Sequence, residues 1–203
     1  MKIICIGRNY SEHTKELGNE TPKEPVIFLK PDTAISPKGH PFFIPDFSKN
    51  VQHEVELVVR INRLGKHIEE KFANKYYEQI GLGIDFTARD IQQEAKEKGL
   101  PWEKAKGFDG SAVVSKKFIN INDITLDDLN FTLKKNETVV QSGNTQQMLF
   151  NIDQIISYIS KFYTLKIGDL IYTGTPAGVG QVNRGDILEG FIEKQKMFEV
   201  KVR

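Results

Sequence analysis

Two neighbouring segments show the clearest pattern of hydrophobic and polar positions along the chain. Every odd position from 55 to 61 is branched and aliphatic, whereas Glu54 and Glu56 occupy even positions. A period of two is typical of a strand, so the two glutamates project from the face opposite the aliphatic side chains. Residues 80–86 are apolar except for Asp85 and glycines, which predicts a second, more deeply buried strand.

The rest of the chain shows short strand patterns with a few helical stretches between them. Thr87 is a candidate N-cap for a helix predicted at 88–98. The last helix would turn Ile155, Ile156, Ile159 and Phe162 toward the core. The pattern predicts helices at 11–17, 69–77, 88–98 and 153–162, strands at 3–6, 26–29, 170–173, 187–192 and 197–202, and a hairpin from 131–134 and 138–141. This balance predicts an α+β, mainly β fold.

Composition narrows the class of protein. A chain of 203 residues is sufficient for one domain over residues 1–203, which needs neither a disulfide nor a structural metal to fold. The net charge of +1 gives no electrostatic footprint for nucleic acid or for an anionic membrane. With one cysteine, no signal-peptide pattern and no run of 18 apolar residues, we expect a cytoplasmic protein.

The carboxylates at 54, 56 and 85 are the candidate chemistry. Glu54 and Glu56 repel each other unless a hard cation, an Arg or Lys side chain or water lies between them, and an exposed edge strand is the simplest reading of this pair alone. Asp85 changes the balance, because an ionised aspartate in an apolar strand needs a cation or several hydrogen-bond donors. Its alternative reading is a core aspartate that holds a turn. Three carboxylates without a nearby histidine or cysteine pair suit Mg²⁺ or Mn²⁺.

Eight short segments, spread over nearly the whole chain, form an ordered set. They are Gly7-Arg8-Asn9-Tyr10-Ser11-Glu12-His13, Phe28-Leu29-Lys30-Pro31, His53-Glu54-Val55-Glu56, Asp85-Phe86-Thr87-Ala88-Arg89-Asp90, Gly99-Leu100-Pro101-Trp102, Ala105-Lys106, Gly143-Asn144-Thr145 and Thr173-Gly174-Thr175-Pro176-Ala177-Gly178-Val179-Gly180. Each segment is weak alone, but in this order the set resembles the fumarylacetoacetate hydrolase family, in particular its small single-domain acylpyruvases and oxaloacetate decarboxylases.

The resemblance implies a fold, a cofactor and a set of site residues. We expect a mixed β-roll of the family's C-terminal-domain type, a homodimer, and a Mg²⁺ or Mn²⁺ ion on Glu54, Glu56 and Asp85. Lys106 matches the family lysine beside the metal, where its ammonium would stabilise negative charge on the substrate; a lone lysine otherwise reads as a surface residue. The residues expected to face the substrate are Arg8, Arg89, Gln92 and Thr175.

His13 and Glu16 are candidates for a catalytic dyad. Their i, i+3 spacing places them on one helix face, although spacing alone favours an incidental pair on an exposed helix. The resemblance implies instead that they lie on a lid, about residues 9–19, where the glutamate would raise the basicity of the histidine. The histidine could then take a proton from an attacking water.

The expected function follows from these residues. We expect cleavage of a small 2-oxo acid, by acylpyruvate hydrolysis, oxaloacetate decarboxylation or both, through a pyruvate enolate that the metal and Lys106 stabilise. Within the family, the alternatives are a 2-hydroxyhepta-2,4-diene-1,7-dioate isomerase, a fumarylpyruvate hydrolase and an oxaloacetate tautomerase. An alternative of another class is a non-catalytic β-roll module that binds a small acid. No nucleic-acid or membrane partner is expected.

Overall fold

The computed structural model describes residues 1–12, 20–37 and 39–203 and is built around a seven-stranded sheet. Strands β1 (Ile3–Gly7) and β11 (Leu170–Tyr172) run parallel, and the other neighbouring pairs in this sheet are antiparallel. Along the sheet, the order is β2 (Val26–Lys30), β1 (Ile3–Gly7), β11 (Leu170–Tyr172), β4 (Val55–Ile61), β5 (Tyr77–Asp85) and β7 (Ala112–Val114), and β8 (Ile119–Asn120) also pairs with β5.

The described residues also form two smaller antiparallel sheets. The four-stranded sheet has the order β10 (Thr138–Asn144), β9 (Asn130–Lys135), β13 (Ile187–Ile192) and β14 (Gln195–Lys201). The three-stranded sheet has the order β12 (Gly180–Gln181), β3 (Val51–His53) and β6 (Thr87–Ala88). Because β3 comes just before β4 and β6 just after β5, this small sheet lies beside the ends of the strands that carry the glutamates and Asp85.

Beyond residue 20, the described residues form the α-helices α1 (Arg89–Glu97), α2 (Glu103–Lys106) and α3 (Ile152–Phe162). Helix α3 begins with a capping box, in which the side chains of Asn151 and Gln154 each accept a hydrogen bond from the other's backbone N–H. Short 3-10 helices span Asp32–Ala34, Glu70–Tyr76, Ile121–Asp123, Leu126–Asp128 and Thr145–Gln147.

Strand β4 is buried on both faces, which decides how its glutamates must be read. Its odd-numbered side chains, among them Leu57, join the main core with the four-stranded sheet and α3. Val58, on the other face, packs with Ile3, Cys5 and Tyr172 in a second buried cluster. The exposed-edge reading of Glu54 and Glu56 is therefore wrong, because β4 is an inner strand between β11 and β5.

The predicted α+β, mainly β class is confirmed, and the predicted strands and hairpin are present. The helix predicted at 69–77 is present as a 3-10 helix over Glu70–Tyr76. Two local predictions are wrong: Phe162 is 56% exposed because it lies in the last turn of α3, and Thr87 does not cap α1, whose N-cap is Ala88. The predicted helix 11–17 lies mostly outside the described residues. Within the described part of the chain, no helix is long and apolar enough to cross a membrane.

Candidate active site

Antiparallel pairing of β4 with β5 brings the three acidic side chains together. The register places Glu56 opposite Gly83, and the Asp85 N–H donates to the Glu54 carbonyl at 2.8 Å. One carboxylate oxygen from each of Glu54, Glu56 and Asp85 lies within 4.8 Å of the others. All three side chains are buried, and the cluster therefore needs compensating positive charge.

Two lysines supply part of that charge. Lys106, at the end of α2, places Nζ 2.7 Å from Glu54 Oε2, 2.7 Å from Asp85 Oδ2 and 2.6 Å from the Thr87 hydroxyl. Lys30, at the end of β2, places Nζ 2.7 Å from Asp85 Oδ1 and 3.0 Å from Ser111 Oγ. Burial acts to lower the pKa of Lys106, but Asp85 and Glu54 raise it above its ordinary value. The Lys106 ammonium therefore stays charged.

Glu56 is held differently. Its Oε2 accepts a hydrogen bond from the Gly174 N–H at 2.7 Å. Burial raises the pKa of Glu56 well above its ordinary value, and the charges of Asp85 and Glu54 raise it further. Gly174 has a φ of +100°, and a Cβ there would lie 2.7 Å from Asn9 Cβ, so only glycine lets this turn approach the carboxylate.

The donor set fits a hard divalent cation. Converging carboxylate oxygens are the ligands that Mg²⁺ and Mn²⁺ prefer, and a cation among them would relieve the repulsion that raises the pKa of Glu56. Glu54, Glu56 and Asp85 are therefore the residues that could hold such an ion. Asp85 contacts cations through both carboxylate oxygens, which overturns its alternative reading as a turn-holding core aspartate.

A cavity opens onto the carboxylates, and all the predicted substrate residues line it. Arg8, Arg89, Gln92 and Thr175 share this cavity with Lys106, beside the aromatic rings of Phe28 and Trp102. Arg89, the first residue of α1, donates to Gln52 Oε1 at 2.8 Å and to Gln92 Oε1 at 2.5 Å, and it pairs with Glu54. His13 and Glu16 lie outside the described residues, so the dyad stays a prediction.

No role at the site is assigned from the sequence to Lys96, Lys30 or Gln141. Lys96 lines the cavity, and its pKa is lowered by burial and by the positive charges of Arg8 and Arg89. Its spacing from Arg89 and Gln92, at i, i+3 and i+7 along α1, is the signal that could have found it. Lys30 was present in a matching segment but had no role. Gln141 stands as a polar residue on the inward face of β10, and sequence reasoning did not use it.

Comparison with known proteins agrees with this geometry. Residues 2–203 match the family model described as fumarylacetoacetate (FAA) hydrolase C-terminal. The mitochondrial oxaloacetate tautomerase of Mus musculus is 45% identical over 202 residues, 99% of this chain and 91% of the relative. The oxaloacetate tautomerase of Escherichia coli K12 is 43% identical over 189 residues, 92% of this chain and 86% of the relative.

One solved structure is similar over the whole length of this chain. The crystal structure of fumarylpyruvate hydrolase from Pseudomonas aeruginosa, in complex with Mn²⁺ and pyruvate, has a TM-score of 0.93 and 32% identity. The match covers 100% of this chain and 89% of that one. The chain described here is thus similar, from end to end, to enzymes whose names describe different reactions of 2-oxo acids.

Proposed function

Because the chain belongs to the fumarylacetoacetate hydrolase family, we propose that it is a divalent-metal-dependent enzyme acting on a small 2-oxo acid. One observation carries the proposal: three buried carboxylates, Glu54 between β3 and β4, Glu56 on β4 and Asp85 at the end of β5, converge in a cavity that Lys106, Arg89 and Arg8 also line. Such a cavity offers a cation site and several positive groups for an anionic substrate.

Each side chain has a role in this proposal. Glu54, Glu56 and Asp85 would hold Mg²⁺ or Mn²⁺, which when bound supplies Lewis-acid polarisation of the 2-oxo group. The Lys106 ammonium stabilises, through its charge, the negative charge that develops on the substrate oxygen. Its three N–H groups donate to two carboxylates and the Thr87 hydroxyl, which hold it in position. The residues that bind and orient the substrate carboxylate and its distal arm are Arg8, Arg89, Gln92 and Thr175.

Among reactions of 2-oxo acids, we propose keto–enol tautomerisation of oxaloacetate first. Relatives that match nearly the whole chain at 43–45% identity carry this name. The reaction moves a proton between C3 and the C2 oxygen, and negative charge builds on that oxygen in between. In this proposal the Lys106 ammonium stabilises that charge, and no attacking water is needed.

Carbon–carbon bond cleavage is the second candidate. The His13 and Glu16 pair in the sequence favours it, because hydrolysis of an acylpyruvate needs a base to activate water. We propose that these residues act as that dyad on a lid of about residues 9–19 within a single 1–203 domain. Decarboxylation of oxaloacetate would pass through the same developing charge and also yield pyruvate.

One set of assays tests these candidates. Enol-oxaloacetate, oxaloacetate and acetylpyruvate are supplied to the purified protein with Mg²⁺, with Mn²⁺ or with a chelator. Enol loss is followed by absorbance, and pyruvate is followed by a coupled dehydrogenase. We expect metal-dependent enol loss without pyruvate; metal-dependent pyruvate formation supports the second candidate, and His13→Ala should then abolish pyruvate release from acetylpyruvate. Turnover that survives the chelator would overturn the metal mechanism.

A lysine substitution tests the active-site assignment. Lys106→Met keeps the stem and removes the ammonium, and we expect kcat to fall about 100-fold or more, because losing one preorganised electrostatic group typically costs that much. Lys98→Met, on the exposed face near the end of α1, is the matched control and should leave kcat unchanged. Equal effects of the two substitutions would place the chemistry elsewhere.

The oligomeric state and the cellular compartment of the protein are proposed as well. We propose a homodimer in the cytoplasm, with a small 2-oxo acid as the partner molecule, and light scattering tests the dimer directly. A non-catalytic binding module would show no metal requirement. Calorimetric titration with Mn²⁺ therefore separates that alternative from the enzyme, and absence of binding would favour the module.

A further inference from the structure

The buried side chain of Gln141, on β10, connects the metal-ligating strand to the glycine-rich turn. Its Oε1 accepts from the Val55 N–H at 3.0 Å and contacts His53 Nδ1 at 2.9 Å. Its Nε2 donates to the Thr175 hydroxyl at 2.8 Å and to the Pro176 carbonyl at 3.0 Å. An amide has two donors and two acceptor positions, so these four contacts use its full capacity.

Two backbone groups determine which way this amide faces. The Val55 N–H can only donate, and the Pro176 carbonyl can only accept. Reversing the amide would set Nε2 against an N–H and Oε1 against a carbonyl, leaving four buried groups badly paired. The orientation with Oε1 toward Val55 therefore follows from the backbone alone.

This orientation assigns the hydrogens on both neighbouring side chains. Because Oε1 can only accept, His53 must carry its proton on Nδ1. Because Nε2 can only donate, the Thr175 oxygen must accept from Gln141, and the hydroxyl hydrogen points in another direction. Thr175 lines the cavity with the three carboxylates, so that hydrogen can be donated to a ligand there.

We propose that Gln141 is a positioning residue that fixes the Thr175 hydroxyl as a hydrogen-bond donor to the substrate carboxylate. The inference rests on the proposed function, in which Thr175 contacts that carboxylate. Val55 lies between the two glutamates of the carboxylate cluster, so Gln141 also sets the distance between that cluster and Thr175. A hydroxyl held in this way favours a ligand group that accepts a hydrogen bond and disfavours one that donates.

A double-mutant cycle tests the proposal, with pyruvate binding to Mn²⁺-loaded protein measured by calorimetry. Thr175→Val removes the hydroxyl with little change in shape. We expect it to weaken pyruvate binding about 10-fold or more, as for the loss of a hydrogen bond to a charged group. In a Gln141→Leu background the hydroxyl is no longer directed, so Thr175→Val should change affinity less than about 3-fold.

Gln141→Glu is the second background, in case the leucine variant does not fold. Its Oε1 can still accept from Val55 and His53. Its other oxygen faces the Pro176 carbonyl, which can only accept, so that oxygen carries a proton directed at Pro176, has no second hydrogen for Thr175 and accepts from the Thr175 hydroxyl, which turns the hydroxyl hydrogen away from the cavity. The effect of Thr175→Val should again be small. Gln181→Leu is the matched control, since this exposed glutamine donates to the Lys49 carbonyl and should leave the full Thr175→Val effect intact.

The possible results separate this inference from the proposed function. If pyruvate binds and Thr175→Val is equally costly in all backgrounds, Gln141 is only structural and the inference is wrong. If Mn²⁺-loaded wild-type protein does not bind pyruvate, the proposed function fails and the inference fails with it. Nitrogen NMR of the wild type is independent of any variant, and a neutral His53 with its proton on Nε2 would contradict the amide orientation.

Discussion

Replacing Lys30 with methionine should strongly destabilise the protein, although the sequence pattern assigns Lys30 no structural or catalytic role. Its side chain is fully buried, and Nζ lies 2.7 Å from Asp85 Oδ1, which is also fully buried. Methionine fills a similar volume but carries no charge. Asp85 would then keep an oxygen that faces neither water nor that ammonium, and Ser111 would lose its contact with Nζ.

The size of the effect can be worked out from this burial. Removing one partner of a buried ion pair costs about 3–5 kcal/mol. Lys106 still contacts Asp85 Oδ2, but the buried Oδ1 loses the cation that it faces. At about 2.1 cal/mol/K per residue, the unfolding entropy of 203 residues is about 0.4 kcal/mol/K. The midpoint of thermal unfolding should therefore fall by about 7–12 °C.

Differential scanning calorimetry in a chelating buffer measures this change without contribution from a bound metal. Lys98→Met is the control, because Lys98 and Glu94 form a pair of similar length, 2.6 Å, on an exposed helix face. Water and salt screen that pair, and its removal should leave the midpoint essentially unchanged. If Lys30→Met costs no more than Lys98→Met, the account of a charge-balanced buried cluster is wrong.

Three further predictions follow from buried groups. Burial and the neighbouring carboxylates raise the pKa of Glu56, so the metal-free protein should lose stability as pH rises from the ordinary glutamate range through the folded pKa. Glu56→Gln should remove this pH dependence and also the thermal stabilisation by Mn²⁺. A pH profile that Glu56→Gln leaves unchanged would contradict the raised pKa. Gly83→Ala should destabilise the fold by about 1–3 kcal/mol or more in chemical denaturation, because the added Cβ would lie 2.3 Å from the Val113 carbonyl oxygen. Gly7→Ala is the control and should cost less, because the atom nearest to its added Cβ lies 3.6 Å away. Cys5 is buried and its pKa is raised mainly by that burial, so iodoacetamide should label it only in denaturant, and rapid labelling of the native protein, read by mass spectrometry, would refute this.

The parts of the fold that sequence reasoning predicted are those that depend on local patterns. Alternation in residues 54–61 placed the two glutamates on one face, and the single acidic residue in 80–86 marked a buried carboxylate. Pairing of β4 with β5 in the register that brings Asp85 beside Glu54 is a property of the whole sheet, and no periodicity shows it. Only the ordered family segments predicted that these three side chains meet.

Errors and omissions came from tertiary contacts that override local preference. Thr87 precedes a helix and has the chemistry of a cap, but its hydroxyl instead lies 2.6 Å from Lys106 Nζ. Lys30 ends an apolar strand and would be expected to reach solvent, yet it turns inward to Asp85. In both cases the buried carboxylates determine the outcome, because leaving them without donors would cost more than a lost cap or a buried lysine.

The charges at the site connect the stability of the fold to the proposed chemistry. Three cations, Lys30, Lys106 and Arg89, contact Glu54 and Asp85 but not Glu56, so the three carboxylates and the three cations balance once Glu56 is ionised. Binding a divalent ion would leave about two positive charges in excess, with Arg8 and Lys96 also facing the cavity. Acetylpyruvate brings one negative charge and oxaloacetate brings two, and each develops one more as its enolate forms beside the bound ion and these positive side chains. The site is therefore better balanced for the charge distribution late in the reaction than for the free substrate, which is the condition for catalysis by differential binding.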